Sequence, residues 1–251
     1  PGQHEINLRY SDALEMADNH VVFKNGVKEI AHLEGQSATF MAKPFADQPG
    51  SSCHIHTSLW SLDGQTPLSP GDAGNGMSGE FRSFVAGLVN HLADVTLLGA
   101  PNINSYKRYQ PESWAPTATV WALDNRTAGL RLVGTGPGLR IESRIPGADA
   151  NPYLAFAGVI AAGLAGIEEG LDCGPPYDGN AYAAGAEGDT ALTHVPWNLP
   201  DATEAFRNSE VAQKALGEDV MFHLAHGADE EWRAFHREVS DWEYRRGYER
   251  L

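Results

Sequence analysis

The segment 139–144 alternates apolar and charged residues with the period of a β-strand. Because successive side chains of a strand point to opposite faces, Arg140, Glu142 and Arg144 should share one face. Ile141 should then point to the other face, towards a hydrophobic core. Charged side chains are costly to bury unless they pair or bind a metal ion. The pattern therefore predicts a pocket for metal ions or anions beside this strand.

A second alternating segment, 52–60, carries two histidines on one predicted face. His54, His56 and Ser58 should point together to one side of the strand. Cys53 should point away from them with the apolar residues, so inert packing is favoured over a role as a nucleophile. A His-x-His pair is by itself an ambiguous metal signal, since surface or core histidines give the same spacing.

Carboxylates on other predicted strands strengthen the metal interpretation. Glu5 lies on the polar face of a predicted strand over 3–10, and Glu142 lies on the polar face of 139–144. Magnesium prefers carboxylate oxygens, and an imidazole ligand also suits manganese. From the residues alone, a metal site and a polar surface remain equal alternatives.

The remaining pattern predicts helices mixed with strands. Further strands are predicted over 39–42, 117–123 and 129–133. A helix with a buried apolar stripe is predicted over 12–32, and another over 152–170. Two more helices are predicted to begin at the N-cap Ser78 and at a capping box formed by Asp201 and Glu204. The last predicted helix runs through 220–251. The segment 101–116 holds three prolines and is predicted as a long, functional loop. The predicted class is α+β, with antiparallel strands and helices packed outside.

Composition narrows the classes of partner. The chain has 251 residues, 42% of them hydrophobic, which is enough for one large domain. A net charge of -15 argues against nucleic acid, whose phosphates need a basic surface. No apolar run is long enough to span a bilayer, so no membrane partner is predicted. Two cysteines, Cys53 and Cys173, are too few for a disulfide framework and favour a reducing, cytoplasmic location.

Arginines cluster in the chain despite its acidic balance. They are Arg108, Arg126, Arg131, Arg140 and Arg144. A guanidinium can bind a carboxylate or phosphate through two hydrogen bonds, so the cluster favours an anion site. Surface ion pairs are the alternative for each single arginine. The glycine-rich run 134–138 lacks the Lys-Ser/Thr ending of a P-loop and is predicted as a hairpin turn.

Several longer motifs follow one another through nearly the whole chain. They are Gln3–Ile6, Lys43–Phe45, Gly50–His56, Asn104–Arg108, Asp124–Arg126, Arg140–Arg144 and Asp149–Leu154. Their residues and order resemble glutamine synthetases of the bacterial type. The resemblance implies the catalytic domain of that family over residues 1–251. Its fold would be a curved antiparallel sheet, a half-barrel, with helices packed outside.

The resemblance also implies a role for each candidate site residue. Glu5 would bind a first divalent ion, and His54 and Glu142 a second, either Mg²⁺ or Mn²⁺. The residues implied in binding ATP are Tyr10, which stacks on adenine, Ser58, Arg131 and Arg140. The catalytic residues, which face the transferred phosphate and its neighbours, would be His56, Arg126 and Arg108.

Glutamate would be held by two of the arginines. Arg108 and Arg144 would clamp its carboxylate, with Gly50 on the loop beside the bound glutamate. The implied reaction phosphorylates the γ-carboxylate of glutamate with ATP, after which an amine displaces phosphate. Metal ions and arginines would neutralise the phosphoryl group during its transfer.

Two departures from the family pattern change this reading. Three acidic metal ligands of the family would precede the first residue here, as would an N-terminal domain that completes the site between subunits. The chain is therefore expected to be a catalytic-domain fragment, inactive alone, whose full-length parent is a homo-oligomer, a dodecamer. The family's lysine in the loop before Arg140 is also missing, since Pro137 and Gly138 stand in that region.

The other departure lies in the loop 111–116. In the family a glutamate of this loop binds ammonium and accepts its proton, whereas Trp114 stands at that place here. An indole cannot accept a proton, but it can bound an alkyl group or a cation. This pattern is similar to the γ-glutamyl-amine ligases of the family, which act on polyamines, ethanolamine or other primary amines. Glu112 lies two residues away and keeps ammonia as an alternative.

The leading prediction is an ATP-dependent ligase that joins the γ-carboxyl of glutamate to a primary amine other than ammonia. Its products would be a γ-glutamylamide, ADP and phosphate. An authentic glutamine synthetase is the first alternative. A non-catalytic structural or regulatory relative is the second, although the many charged site residues argue against it. A phosphoguanidino kinase is a more distant alternative and would transfer phosphate without glutamate.

Overall fold

The structure, a computed structural model, describes residues 2–182 and 192–250. Its strands are β1 (Ile55–Thr57), β2 (Trp121–Leu123), β3 (Leu130–Val133) and β4 (Arg140–Ser143). The helices in the first part are α1 (Ala13–Leu33), α2 (Gly79–His91), α3 (Thr96–Gly99), α4 (Ile103–Tyr106) and α5 (Pro152–Glu168). Those that follow are α6 (Leu199–Arg207), α7 (Glu210–Leu216), α8 (Glu218–His236) and α9 (Asp241–Gly247).

The strands form one sheet in the order β1-β4-β3-β2. Strand β4 is antiparallel to both β1 and β3, as predicted. The prediction is wrong for β2, which runs parallel to β3. In the connection after β2 the side chain of Asn125 accepts the Thr127 N–H at 2.9 Å, and the chain then enters β3 with the Leu130 N–H donating to the Val120 carbonyl at 3.0 Å. Strand β3 therefore starts beside the beginning of β2, in a mixed sheet.

Two predicted strands, 3–10 and 39–42, are absent from the described sheet. Residues 2–10 are exposed and lie outside helices and strands. Residues 39–42 also lie outside helices and strands. Alternating polar and apolar residues give a segment two distinct faces. A strand also needs a neighbouring strand whose backbone groups form hydrogen bonds with its own. The strand predicted over 52–60 contracts to β1, with isolated bridges at Ser52 and Trp60 on either side.

Helix α1 has almost the predicted bounds but not the predicted buried stripe. It lies against α5, and only Ala17 of its residues is buried. Leu14 and Ile30, two residues of the predicted stripe, are 69% and 63% exposed. The periodicity therefore identified the helix correctly and misjudged how much of its surface is covered.

The helices α2 and α5 pack on each other and carry the predicted N-caps. Ser78 Oγ accepts the Phe81 N–H at 3.1 Å, and Asn151 accepts the Tyr153 N–H at 3.0 Å before α5. Their backbones touch: a Cβ placed on Gly87 of α2 would lie 2.1 Å from the Ala162 carbonyl oxygen.

The C-terminal part is helical, as predicted, with one corrected boundary. Asn198, rather than Asp201, caps α6 by accepting the Asp201 N–H at 2.9 Å. The helix therefore begins at Leu199, and the capping box predicted between Asp201 and Glu204 is wrong. No helix within the described ranges is long and apolar enough to cross a membrane.

The larger of two hydrophobic clusters in the described residues joins the sheet to the helices. Its largest fully buried side chains include Phe81, Phe84, Leu88, Leu130, Ile141, Ile145 and Phe206. Leu130 of β3 and Ile141 of β4 are fully buried, so this face of the sheet faces the core, as predicted for Ile141. The other face carries the charged residues of the candidate site.

Candidate active site

Three strands align charged side chains across the polar face of the sheet. Glu142 of β4 stands opposite His56 of β1 on one side and opposite Arg131 of β3 on the other. Directly opposed residues of an antiparallel pair point to the same face. We call His56, Glu142 and Arg131 the charged row. The predicted face of 139–144 is confirmed, because Glu142 also binds Arg144.

Glu142 is the centre of this row and is almost fully buried. Its Oε2 accepts from Arg131 Nη1 at 3.0 Å, and its Oε1 accepts from Arg144 Nη1 at 2.9 Å. His54 Nδ1 lies 2.9 Å from the same Oε1. Burial alone would raise the pKa of this carboxyl, but the hydrogen bond from His54 and the charges of His54 and Arg144 lower the pKa to about 2. Glu142 is therefore an ionised acceptor.

His56 is held on the opposite side by an arginine. Arg140 Nε donates to His56 Nδ1 at 3.1 Å, and Arg140 Nη1 donates to the Gly138 carbonyl at 3.0 Å. Burial lowers the pKa of His56, as do the charges of Arg140 and Arg131, while Glu142 opposes them. Because Nδ1 accepts, the neutral ring carries its proton on Nε2, on the side of Glu142.

Arg108 follows α4, and its guanidinium is turned to backbone carbonyls just beyond β4. It is 3% exposed, and its Nη2 donates to the carbonyls of Ile145 and Arg144. The Nε atoms of Arg108 and Arg144 are both buried and have no hydrogen-bond partner among the described residues. Buried donors without partners are costly, so both positions fit a bound carboxylate.

Gly50 allows this arginine to lie where it does. A Cβ at Gly50 would come within 2.6 Å of Arg108 Cγ and of the Ala42 carbonyl oxygen. Only a residue without a side chain fits between these groups. Gly50 and Arg108, which the resemblance both assigns to glutamate binding, are therefore in direct packing contact.

The loop 110–116 places Trp114 at the surface. Trp114 is 62% exposed, and both Trp114 and Glu112 have a positive φ, at 64° and 61°. Non-glycine residues seldom adopt this conformation, so the loop is locally strained. Ser113 Oγ donates to the carbonyls of Arg108 and Gln110, and Arg144 Nη2 donates to the Trp114 carbonyl at 3.2 Å. Arg144 thus connects the loop with Glu142.

An aromatic pair lies at the implied adenine position. Tyr10 is 74% exposed and stacks on Trp60, with ring centroids 6.2 Å apart and an angle of 15° between the planes. Ser58 Oγ accepts from Trp60 Nε1 at 2.9 Å. Sequence analysis missed Trp60. Its place two residues after Ser58 in an alternating segment was a signal that could have identified it.

The structure does not bring every candidate residue into the charged row. Glu5 lies on the exposed segment before α1, and Arg126 is exposed in the loop after β2. Cys53 points away from the histidines of its segment, with Sγ 3.7 Å from His20 Nε2. Burial raises the pKa of the Cys53 thiol, which agrees with inert packing. The run 134–138 forms the predicted hairpin connection between β3 and β4.

The pair His54 and Glu142 fits a divalent ion. Their nearest nitrogen and oxygen lie 2.9 Å apart, close to the separation of about 3 Å between neighbouring donors around octahedral Mg²⁺. Within residues 2–182 and 192–250, no group of three or more His, Cys, Asp or Glu side chains is arranged to hold a metal ion. Water, phosphate or further protein oxygens would have to complete the coordination.

Comparison with known proteins identifies the family. The sequence profile described as the glutamine synthetase catalytic domain matches residues 1–247. The chain belongs to the glutamine synthetase family, as its motifs predict. A solved structure described as a GmaS–ADP complex has a TM-score of 0.87 at 36% identity, covering 96% of this chain and 56% of the other.

Two curated relatives join glutamate to amines other than ammonia, according to their names. The chain is 50% identical to a gamma-glutamylethanolamide synthetase of Streptomyces coelicolor, covering 100% of this chain and 52% of the relative. It is 40% identical to a glutamate–isopropylamine ligase of a Pseudomonas species, covering 98% and 53%. A glutamine synthetase of Mycolicibacterium smegmatis is 39% identical, covering 97% and 56%. The chain spans about half the length of these relatives.

Proposed function

We propose that the protein containing this chain is an ATP-dependent ligase that joins the γ-carboxyl of glutamate to a primary amine other than ammonia. The observation that carries the amine assignment is Trp114, which stands exposed on the loop 110–116. Two relatives named for ethanolamide and isopropylamine products support it. The alternative, a glutamine synthetase, rests on relatives of lower identity than the first of these.

Glutamate binding is assigned to the two guanidiniums with unpartnered nitrogens. Arg108 and Arg144 are buried, and each keeps a free Nε–H in the described structure. A carboxylate placed between them would accept these donors and neutralise charge in a site that excludes water. Gly50 would fix the position of Arg108 against the backbone.

Phosphoryl transfer is assigned to the charged row and its neighbours. A γ-carboxylate oxygen of glutamate attacks the terminal phosphorus of ATP, and the bond to ADP breaks. Arg131, Arg140 and Arg126 would balance the negative charge of the transferred group. Tyr10 and Ser58 would hold the nucleotide. The divalent ion, Mg²⁺ or Mn²⁺, would be bound by His54 and Glu142, with Glu5 at a second ion, and would supply charge neutralisation.

The amine then displaces phosphate from the acyl phosphate. Its nitrogen bonds to the carbonyl carbon, the bond to the phosphate oxygen breaks, and the nitrogen loses a proton. Trp114 would bound the alkyl group through its exposed ring. Glu112 is the carboxylate nearest to it in the chain, and it would accept the proton if ammonia were the substrate. We further propose that the complete protein is a homo-oligomer, a dodecamer.

The test is phosphate release from ATP and glutamate by the native polypeptide that contains this chain. Ammonium, ethanolamine, isopropylamine, putrescine and longer amines are compared in the presence of Mg²⁺ or Mn²⁺. Release that depends on an alkylamine supports the proposal and identifies the substrate class. Release with ammonium alone overturns it in favour of a glutamine synthetase, and release without glutamate indicates a kinase.

A non-catalytic relative would give a different result. It would release no phosphate with any amine, and calorimetry would detect no magnesium-dependent binding of ATP. Binding of ATP together with turnover of at least one amine therefore excludes that alternative.

A further inference from the structure

Ser52 lies beside the proposed metal ligand His54, and sequence analysis gave it no role. Its Oγ is 3.0 Å from His54 Nε2, while the other ring nitrogen, Nδ1, is 2.9 Å from Glu142 Oε1. Both nitrogens of the imidazole are therefore engaged, one by a carboxylate and one by a hydroxyl. The ring plane is fixed from two sides.

The backbone around Ser52 is also fixed. Ser52 forms an isolated bridge with Gly147, and the Cys53 N–H donates to the Pro146 carbonyl at 2.9 Å. The Ala148 N–H donates to the Ser51 carbonyl at 3.1 Å. The hydroxyl is therefore presented by a segment tied to the chain just beyond β4, the strand that carries Glu142.

The hydrogen bonds determine where the imidazole proton lies. Glu142 accepts from Arg131 and Arg144, and a carboxylate between two guanidiniums is ionised and can only accept. His54 Nδ1 must therefore carry the proton in the absence of a metal ion. In the neutral ring Nε2 then accepts, and Ser52 Oγ–H donates to it.

A divalent ion held by His54 and Glu142 would need the lone pair of Nδ1, and the ring would then carry its proton on Nε2, where Ser52 Oγ would accept it in a hydrogen bond. A hydroxyl can serve as donor in the first state and as acceptor in the second, which alanine cannot.

We propose that Ser52 is a positioning residue: its hydroxyl, 3.0 Å from Nε2, orients the His54 ring so that Nδ1 stays on the side of Glu142, where the divalent ion would bind. The inference rests on the proposed function, because it assumes that His54 and Glu142 bind a divalent ion. Partners of this kind behind a metal ligand commonly change metal affinity by about 10- to 100-fold.

The test measures Mn²⁺ binding to the native polypeptide by electron paramagnetic resonance of the free ion. The binding event lost in His54→Ala identifies the relevant site. We expect Ser52→Ala to raise the Kd of that site about tenfold and to alter the nitrogen coupling of the bound ion. Ser52→Thr, which keeps a hydroxyl, should restore the affinity. Ser51→Ala is the matched control, because its hydroxyl contacts Gln3 and not the histidine.

Several outcomes would overturn the inference. Unchanged Mn²⁺ affinity in Ser52→Ala, or an equal loss in Ser51→Ala, would show that the hydroxyl does not position the ring. Wild-type-like binding by His54→Ala would remove the site on which the inference depends. Failure of the proposed function looks different: Mn²⁺ binding would depend on His54 and Ser52, but no γ-glutamylamide would form with any amine.

Discussion

The charged row and the loop 110–116 differ in how firmly the structure holds them. Glu142 is buried and has three donors, which are Arg131 of the paired strand β3, Arg144 two residues further along its own segment, and His54 just before β1. Trp114 is 62% exposed and sits in a strained backbone conformation. The row is organised before substrate arrives, which suits stabilisation of a phosphoryl group. The loop is restrained mainly through Arg144 and Ser113, which would suit the proposed contact of Trp114 with an amine.

The strongest test of this difference between the charged row and the loop removes the charge of Glu142 at the centre of the row. Glu142→Gln leaves Arg131 and Arg144 without their shared counter-ion in a buried place. We expect the free energy of unfolding to fall by about 3 kcal/mol and ligase turnover to be lost. Denaturant unfolding and phosphate release measure the two effects.

The control is an ion pair of the same chemistry at the surface. Glu168 pairs with Lys214, and both side chains are more than half exposed. Glu168→Gln should change the free energy of unfolding by less than about 1 kcal/mol. An equal effect of the two substitutions would show that burial does not strengthen the row.

Acid should weaken the row in a predictable pH range. The pKa of Glu142 is lowered from 4.5 to about 2 in the folded protein. Because folding lowers this pKa, the contribution of ionised Glu142 to the free energy of unfolding is present above pH 4.5 and is lost as the pH falls towards 2. With metal removed by a chelator, wild type should lose roughly 3 kcal/mol more over this range than Glu142→Gln. Parallel pH curves for the two proteins would contradict the ionised state of Glu142.

Gly50→Ala tests how Arg108 is positioned. The new Cβ would collide with Arg108 Cγ and the Ala42 carbonyl, so the guanidinium must move. We expect the KM for glutamate to rise about tenfold, because one charge-assisted hydrogen bond would be lost. The KM for ATP should change little. Gly26→Ala in α1 meets nothing within 4 Å and should stabilise the helix by about 0.5–1 kcal/mol.

Trp114→Ala should have the smallest effect on the fold and the narrowest effect on activity. Because the side chain is mostly exposed, the free energy of unfolding should change by less than about 0.5 kcal/mol. We expect kcat/KM for the alkylamine to fall about tenfold, as for a lost contact with an aromatic ring, while the KM values for glutamate and ATP stay the same. Trp197→Ala, at a residue 51% exposed elsewhere, is the control. Equal losses in both variants would refute the role of Trp114 in binding the amine.

Local periodicity was sufficient to predict which side chains share a strand face. Arg140, Glu142 and Arg144 all point to the site because alternation is a property of one strand. The alignment of Glu142 with both His56 and Arg131 could not be predicted, because register depends on which strands pair and on the turns between them. The same limit explains the parallel pairing of β2 and β3.

Burial was the other quantity that the sequence could not determine. The helix pattern of α1 was recognisable, but Leu14 and Ile30 are exposed because burial depends on neighbouring segments. The alternation of residues 3–10 likewise gave no strand. In the site, motif resemblance singled out Arg108 and Gly50 as glutamate-binding candidates, whereas Trp60 and Ser52 became visible only through their contacts.

The contact between the backbones of α2 and α5 has a mechanical consequence. At Gly87 and Gly166 no layer of side chains separates the helices, so there is nothing that could slide or repack between them. The two helices should therefore move together as one rigid unit that deforms little. We therefore expect movements on substrate binding in the surface loops rather than between these two helices.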